Sequence, residues 1–191
     1  SYNANRNGGA FECPTKTYAN NYFDLGDPIT FGTGGSNNQG TEFTFFIGIR
    51  YPNGVTDGYG MFFTGTDYNN FIGQSTGGGW RIDSNQDQKA DANGTDIGTD
   101  IIVVHVTMNS DGYVRYYLNG SENANCYYKN SSGQWSGDNI IINTMNAYPP
   151  TGANMSYASD HYWYFSGAYN RVLTPGEIAS NTTAHETRLG I

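Results

Sequence analysis

The sequence predicts an all-β fold, an antiparallel β-sandwich with one short C-terminal helical turn. Three observations carry that expectation. Short aromatic or β-branched runs recur along the chain, each closed by Gly, Asn, Asp or Pro, which is the spacing of a sandwich or barrel. Helical periodicity is nearly absent. The chain is 191 residues long, one domain's length, and its 16 tyrosines, 10 phenylalanines and 3 tryptophans can build a core, so residues 1–191 are read as a single domain.

Taken in order, strands are expected over Ala10–Cys13, Tyr22–Leu25, Glu42–Tyr51, Gly60–Thr64, Phe71–Gln74, Trp80–Ile82, Asp100–Asn109, Tyr113–Asn119, Asn125–Tyr128, Asn139–Asn143 and Tyr162–Arg171. Each is rich in β-formers and ends at turn residues. Ser110-Asp111-Gly112 separates VVHVTMN from YVRYYLN, which makes a β-hairpin, and Asn119-Gly120 offers a second tight turn into the next strand. Near the C terminus Thr174 can cap a helix, with Pro175 at its first position and Glu177 returning to the cap, giving one turn before Asn181. The stretches Gly32–Gly40, Asp83–Gly98, Lys129–Asp138 and Ala147–Asp160 are expected as loops.

Charge excludes some functions. Seventeen acidic residues against nine basic ones give a net charge of -8, and the basic residues do not cluster, so nothing here would hold a phosphate backbone. The runs Phe43–Ile49 and Ile101–Val104 fall far short of the roughly 20 residues a membrane helix needs. Nucleic acid and membrane insertion are therefore not expected. No basic or apolar leader is visible at Ser1, so any signal peptide or anchor is expected to have been removed or to lie outside this sequence.

Cys13 and Cys126 have no CxxC spacing, which argues against a zinc ribbon or thioredoxin-type site. They form either one disulfide or two buried thiols, because sequence separation does not report Cα distance. Five Asn-x-Ser/Thr sites, at Asn93, Asn119, Asn130, Asn154 and Asn181, are glycan acceptors in a secretory pathway or chance in an asparagine-rich chain.

The ordered set Gly8-Gly9-Ala10-Phe11, Tyr22-Phe23-Asp24-Leu25-Gly26, Glu42-Phe43-Thr44, VVHVTMNSDGYVRYYLNG and AYNRVLTPGEIAS resembles the laminin-G-like jelly roll of the concanavalin A-like lectin/glucanase superfamily. That family shows a "DYVDLG" strand, a "WHHVAVTYDGTVRLYVNG" hairpin and an "RIYNRALSAEEI" ending. The resemblance implies two packed antiparallel sheets, with ligands on a concave face or at the loop-bearing rim. It implies no chemistry. Two departures stand out: Ile101-Ile102 replaces the Trp that opens the hairpin, and Tyr164-Phe165-Ser166-Gly167 lacks the usual acidic residue.

Glucanases of this fold carry Glu-x-Asp-x-x-Glu, because a retaining mechanism needs two carboxyl groups about 5 Å apart. The glutamates here, Glu12, Glu42, Glu122, Glu177 and Glu186, do not make that motif. Tyr164 to Asn170 also resembles the "YFKAGxYNQ" strand of jelly-roll alginate lyases, but the Gln-x-His strand, the Arg-rich strand and the Lys are missing. His105, His161 and His185 have no partner nucleophile in the pattern and are expected to be structural or at the surface. No enzyme is expected.

The expected cofactor is calcium or none, the alternative being that the loop acids are simply solvated. Asp83-x-Asn85-x-Asp87 places oxygen side chains at alternate positions, although Gln88 stands where the turn glycine would be. Relatives of the resembling fold hold calcium at the rim, which adds Asp96 and Asp138 to Asp83 and Asp87 as candidates. Sugar binding needs flat aromatics to stack on C–H faces and planar polar groups to bond hydroxyls. Loops near Tyr68 and Asn70, Trp80, Trp135 with Asp138, and Tyr148 supply that mixture, although Trp80 opens an expected strand and reads equally as core packing. Trp135 sits among Ser, Gly, Gln and Asp and is expected to be exposed.

The functional expectation is a non-catalytic, lectin-like carbohydrate-binding module that is extracellular, secreted or surface-exposed, with an oligo- or polysaccharide as partner. The alternative is a structural or adhesive module of a cell surface, filament or virion, engaging its own copies or other surface proteins.

Overall fold

A computed structural model of the chain describes residues 2–3, 9–13, 23–31, 42–52, 60–64, 70–74, 80–84, 88–92, 99–110, 113–128, 140–145 and 161–191. Side chains are described for 9–10, 42–52, 73, 99–110, 113–123 and 161–191. The strands are β1 (Tyr2–Asn3), β2 (Ala10–Cys13), β3 (Phe23–Phe31), β4 (Phe43–Arg50), β5 (Gly60–Thr64), β6 (Asn70–Gln74), β7 (Trp80–Ser84), β8 (Gln88–Ala92), β9 (Ile102–Met108), β10 (Val114–Leu118), β11 (Ser121–Tyr128), β12 (Ile140–Met145) and β13 (His161–Tyr169), followed by helix α1 (Pro175–Leu189). They form one hydrogen-bonded ladder in the order β1-β2-β13-β4-β9-β10-β11-β8-β7-β6-β5-β12-β3. Every pairing is antiparallel.

The centre of the ladder is buried on both faces, and that dictates a layered fold. On one face of β4 lie Phe43, Phe45, Ile47 and Ile49, continued by Val104, Val106 and Met108 of β9 and by Val114 and Tyr116 of β10, all buried. On the other face Thr44, Phe46 and Gly48 stand opposite Thr107, His105 and Val103. Helix α1 packs against this second face through β9. The first face is equally dry although α1 lies on the opposite side, so a second layer of chain must cover it. The fold is therefore an all-β antiparallel sandwich with a C-terminal helix.

Local chemistry explains the best-defined elements. In the β9–β10 hairpin the Asn109 side chain accepts from the Tyr113 N–H at 2.9 Å, while the Asn109 N–H donates to the Tyr113 carbonyl at 3.1 Å. The β10–β11 turn places Asn119 at φ 47° and Gly120 at φ 78°, the left-handed pair of a two-residue hairpin loop. Asn119 is also tied back to β9, where its Oδ1 accepts from Val103 N at 2.8 Å.

Several elements differ from expectation. The helix is 15 residues long, not one turn. Asn181, Thr182 and Thr183 are weak helix formers, but Ile178, Thr182 and Leu189 bury one stripe against the sheet, and Gly190 at φ 71° closes the C terminus in the left-handed conformation. Residues 88–92, expected within a loop, form β8 because β7 and β11 flank them and accept their backbone bonds. Strand β3 continues through Pro28 to Phe31. Its position at the end of the ladder tolerates the missing N–H, and the register jumps from Ile29 opposite Ile142 to Asp24 opposite Thr144, so residues 25–28 bulge. The expected loops over 32–40, 129–138 and 147–160 lie outside the described residues.

Candidate functional site

Where β13 hands over to α1, the chain forms an open groove of about 580 Å³ lined by Tyr169, Arg171, Leu173, Thr174, Gly176, Glu177, Ser180 and Asn181. Its geometry starts from a buried hydroxyl on the neighbouring strand. Thr44 Oγ1 donates to the Arg171 carbonyl at 2.9 Å and accepts from Leu173 N at 3.0 Å, which fixes the connector between strand and helix. Leu173 then packs with Tyr117 and Ile178, with Tyr169 against them.

The connector sets the helix cap. Thr174 Oγ1 accepts from Glu177 N at 3.3 Å, and Glu177 Oε2 accepts from Thr174 N at 2.8 Å, a reciprocal capping box. The same carboxylate meets Arg171 face on, with Nη1–Oε2 at 3.0 Å and Nη2–Oε1 at 2.7 Å. The Arg171 guanidinium and the Thr174 donors hold the Glu177 carboxyl down to about 2. Such a carboxylate stays ionised and is a weak base, suited to holding a ligand and poorly suited to moving a proton.

Beneath the groove a polar relay runs into the protein. Asn181 Nδ2 donates to the Tyr169 hydroxyl at 3.2 Å, which leaves its Oδ1 to accept from His105 Nε2 at 2.9 Å. His105 is fully buried, and its Nδ1 has no hydrogen-bond partner among the described residues. Burial pushes the imidazole below its usual 6.5, against the Asn181 bond and together with the nearby His185. Around it sits an aromatic cluster: Phe46 lies 5.8 Å from the His105 ring, 5.6 Å from Tyr169 and 5.5 Å from His185, and His185 stacks on Phe165 at 3.8 Å. The Arg171 guanidinium carbon lies 6.0 Å from the Tyr169 ring centroid.

The residues singled out from sequence fall elsewhere. Trp80 opens β7 opposite Gln74, and Asn70 opens β6 opposite Ser84, so the two sit at opposite ends of one hairpin, roughly 13 Å apart along the strands. Asp83 lies on β7 opposite Lys89. Cys13 on β2 faces His161, and Cys126 on β11 faces Ala92, with β13, β4, β9 and β10 between the two strands. Tyr68, Asp87, Asp96, Trp135, Asp138 and Tyr148 lie outside the described residues. Among the described residues no three His, Cys, Asp or Glu side chains converge as a metal site would require.

In the sequence Thr174 and Glu177 read as a helix cap and Asn181 as the helix end, and nothing local joins them to Tyr169 and Arg171. The available signal was the Arg171 to Glu177 separation across a Thr-Pro start. It shows as a site only when strand and helix meet.

No protein-family model and no curated protein matches the chain. Solved structures do. The binding domain of Paraclostridial Mosquitocidal Protein 1 aligns with a TM-score of 0.55 at 14% identity, over 97% of this chain and 45% of that one. A Trypanosoma rangeli sialidase in complex with 2,3-difluorosialic acid aligns with a TM-score of 0.54 at 13% identity, over 87% of this chain and 28% of that one. A botulinum neurotoxin type C, which depends on two ganglioside molecules to get into cells, aligns with a TM-score of 0.51 at 16% identity, over 83% of this chain and 46% of that one. The chain thus spans less than half the length of each of these proteins, and what it shares with them is the β-sandwich fold.

Proposed function

We propose that this chain is a non-catalytic carbohydrate-binding module that works outside the cell. The observation that carries this reading is the groove between β13 and α1, where an aromatic ring, a guanidinium–carboxylate pair, a hydroxyl and a carboxamide line one open concavity. Sugars are held by that mixture, through hydroxyl bonds to planar polar groups and apolar contact to a ring. The neurotoxin that depends on gangliosides has the same fold, which supports the reading. Glu177, held ionised and bonded to Arg171 and Thr174, is a binding group and not a proton shuttle.

The experiment is a glycan-array screen of the chain, in calcium and in chelator, with Tyr169→Ala and Trp135→Ala variants. Binding lost with Tyr169→Ala supports the groove. Loss with Trp135→Ala alone moves the site to the Lys129–Asp138 segment, and loss with chelator assigns calcium to the site. A chain that binds no glycan refutes the reading. The second reading, an assembly module, is favoured by β3, a nine-residue strand at the end of the ladder with a single partner among the described strands. Concentration-dependent self-association in sedimentation would support it.

A further inference from the structure

The chemical class of the sugar follows from how the charges of the groove are spent, an inference that rests on the carbohydrate-binding reading. Arg171 is the one cation among the lining residues and Glu177 the one anion. They face each other in a two-bond pair, at 3.0 and 2.7 Å. Arg171 Nη1 also reaches the Val172 carbonyl at 3.4 Å. An acidic sugar would have to take the guanidinium from Glu177 and would then face that carboxylate. Glu177 cannot swing aside cheaply, because its Oε2 also accepts from Thr174 N at 2.8 Å and Thr174 Oγ1 at 3.0 Å and so holds the start of the helix. The field of the whole chain, at net charge -8, repels anions further.

Hydroxyls meet no such conflict. A guanidinium has five N–H donors in a planar fork, so Arg171 keeps donors beyond the pair, while Glu177 Oε1 has lone-pair capacity left. The pair therefore presents a donor edge beside an acceptor edge, the complement of two adjacent hydroxyls. Ser180 Oγ, which donates to the Gly176 carbonyl at 2.9 Å, keeps its lone pairs for a third.

We propose that the groove between β13 and α1 takes neutral sugars with vicinal hydroxyls and discriminates against sialylated, uronate and sulfated ones. The Arg171–Glu177 pair is the selectivity element. Removing the negative charge while keeping the helix cap frees the guanidinium for an anion, and Gln serves in a capping box as Glu does.

The test is an array of matched glycan pairs, each neutral glycan beside its sialylated, glucuronate-bearing and sulfated counterparts, probed with the unmodified chain, Glu177→Gln and Tyr169→Ala. The unmodified chain is expected to bind neutral members roughly tenfold more tightly than their acidic partners, and Glu177→Gln to narrow or reverse that ratio with its circular dichroism unchanged. Acidic glycans bound as well as neutral ones, with binding lost in Tyr169→Ala, would overturn the selectivity and leave the binding function standing. Selectivity untouched by Glu177→Gln would overturn the role of the pair. Absence of binding to every glycan would overturn both.

Discussion

Phe46 on β4 and Gly167 on β13 are direct cross-strand partners, and the Phe46 ring occupies the space a side chain at 167 would need, its Cζ only 2.5 Å from where a Cβ would stand. The arrangement is reciprocal. Two residues on, Gly48 of β4 faces Phe165 of β13, whose ring covers it in the same way. Each ring fills the space over the opposing glycine, and both meet His185 of α1.

Gly167→Ala and Gly48→Ala should therefore each destabilise the protein by about 1–3 kcal/mol through overpacking. The rings cannot turn away at low cost, because Phe165 is stacked on His185 at 3.8 Å and Phe46 is wedged among His105, Tyr169 and His185. Urea denaturation measures this. Pairing Gly48→Ala with Phe165→Leu should recover part of the loss, and a neutral Gly48→Ala would refute the contact.

Thr44 makes a second testable point. Thr44→Val keeps the shape but removes the hydroxyl that joins the Arg171 carbonyl to the Leu173 N–H, leaving both backbone groups without it. A loss of about 1–3 kcal/mol is expected. Glycan affinity should fall with it, since the connector aims Arg171 at Glu177. Unchanged stability together with unchanged affinity would sink this account.

Acid should act first on the buried histidine. The His105 pKa is lower in the folded protein than its usual 6.5, so the unfolded chain binds the extra proton more readily. Stability then rises with pH between the folded pKa and about 6.5, and falls as the pH drops below 6.5, at most by about 1.4 kcal/mol per pH unit for this one site. The groups around the imidazole are Asn181 and His185 of α1, Phe46 of β4 and Tyr117 of β10. His185 is shifted the same way by burial and by Arg188, so it adds to the trend. Imidazole NMR should show His105 titrating below 6.5, with its neutral form carrying the proton on Nε2. Titration at or above 6.5 would contradict the burial argument.

Glu177 sets a second, lower window. Its folded pKa of about 2 lies under the usual 4.5, so its contribution is fully present above 4.5 and is lost as the pH falls towards 2. Glu177→Gln should flatten the stability profile below pH 4.5 and leave it unchanged near neutrality in shape. Thr174→Ala removes the other half of the cap and should cost about 1 kcal/mol, seen as early loss of helical signal on heating. Equal acid sensitivity of Glu177→Gln and the unmodified chain would show that the window belongs to other groups.

Much of the fold was legible in the residues. The β-branched and aromatic runs at 43–50, 102–108 and 114–118 became strands because their side chains suit a pleated, largely buried surface. Asn119-Gly120 became the turn it reads as, since only residues that tolerate positive φ close a two-residue hairpin. Thr174, Pro175 and Glu177 wrote the start of the helix, because capping is chemistry among neighbours in sequence.

Where that helix ends, and what its flank does, was decided by tertiary contact. Asn181-Thr182-Thr183 would stop an isolated helix, but burial of Thr182 and Leu189 on the sheet and the bond from His105 to Asn181 carry it to Leu189. Residues 88–92 have little strand propensity of their own and pair because β7 and β11 offer free edges on either side. The groove belongs to the same category. Tyr169 on a strand, Arg171 in a connector and Glu177 on a helix become one surface only after Thr44, more than a hundred residues earlier, anchors the turn between them. Local sequence determines the conformations each segment prefers, and packing against distant segments selects which are kept and which side chains meet.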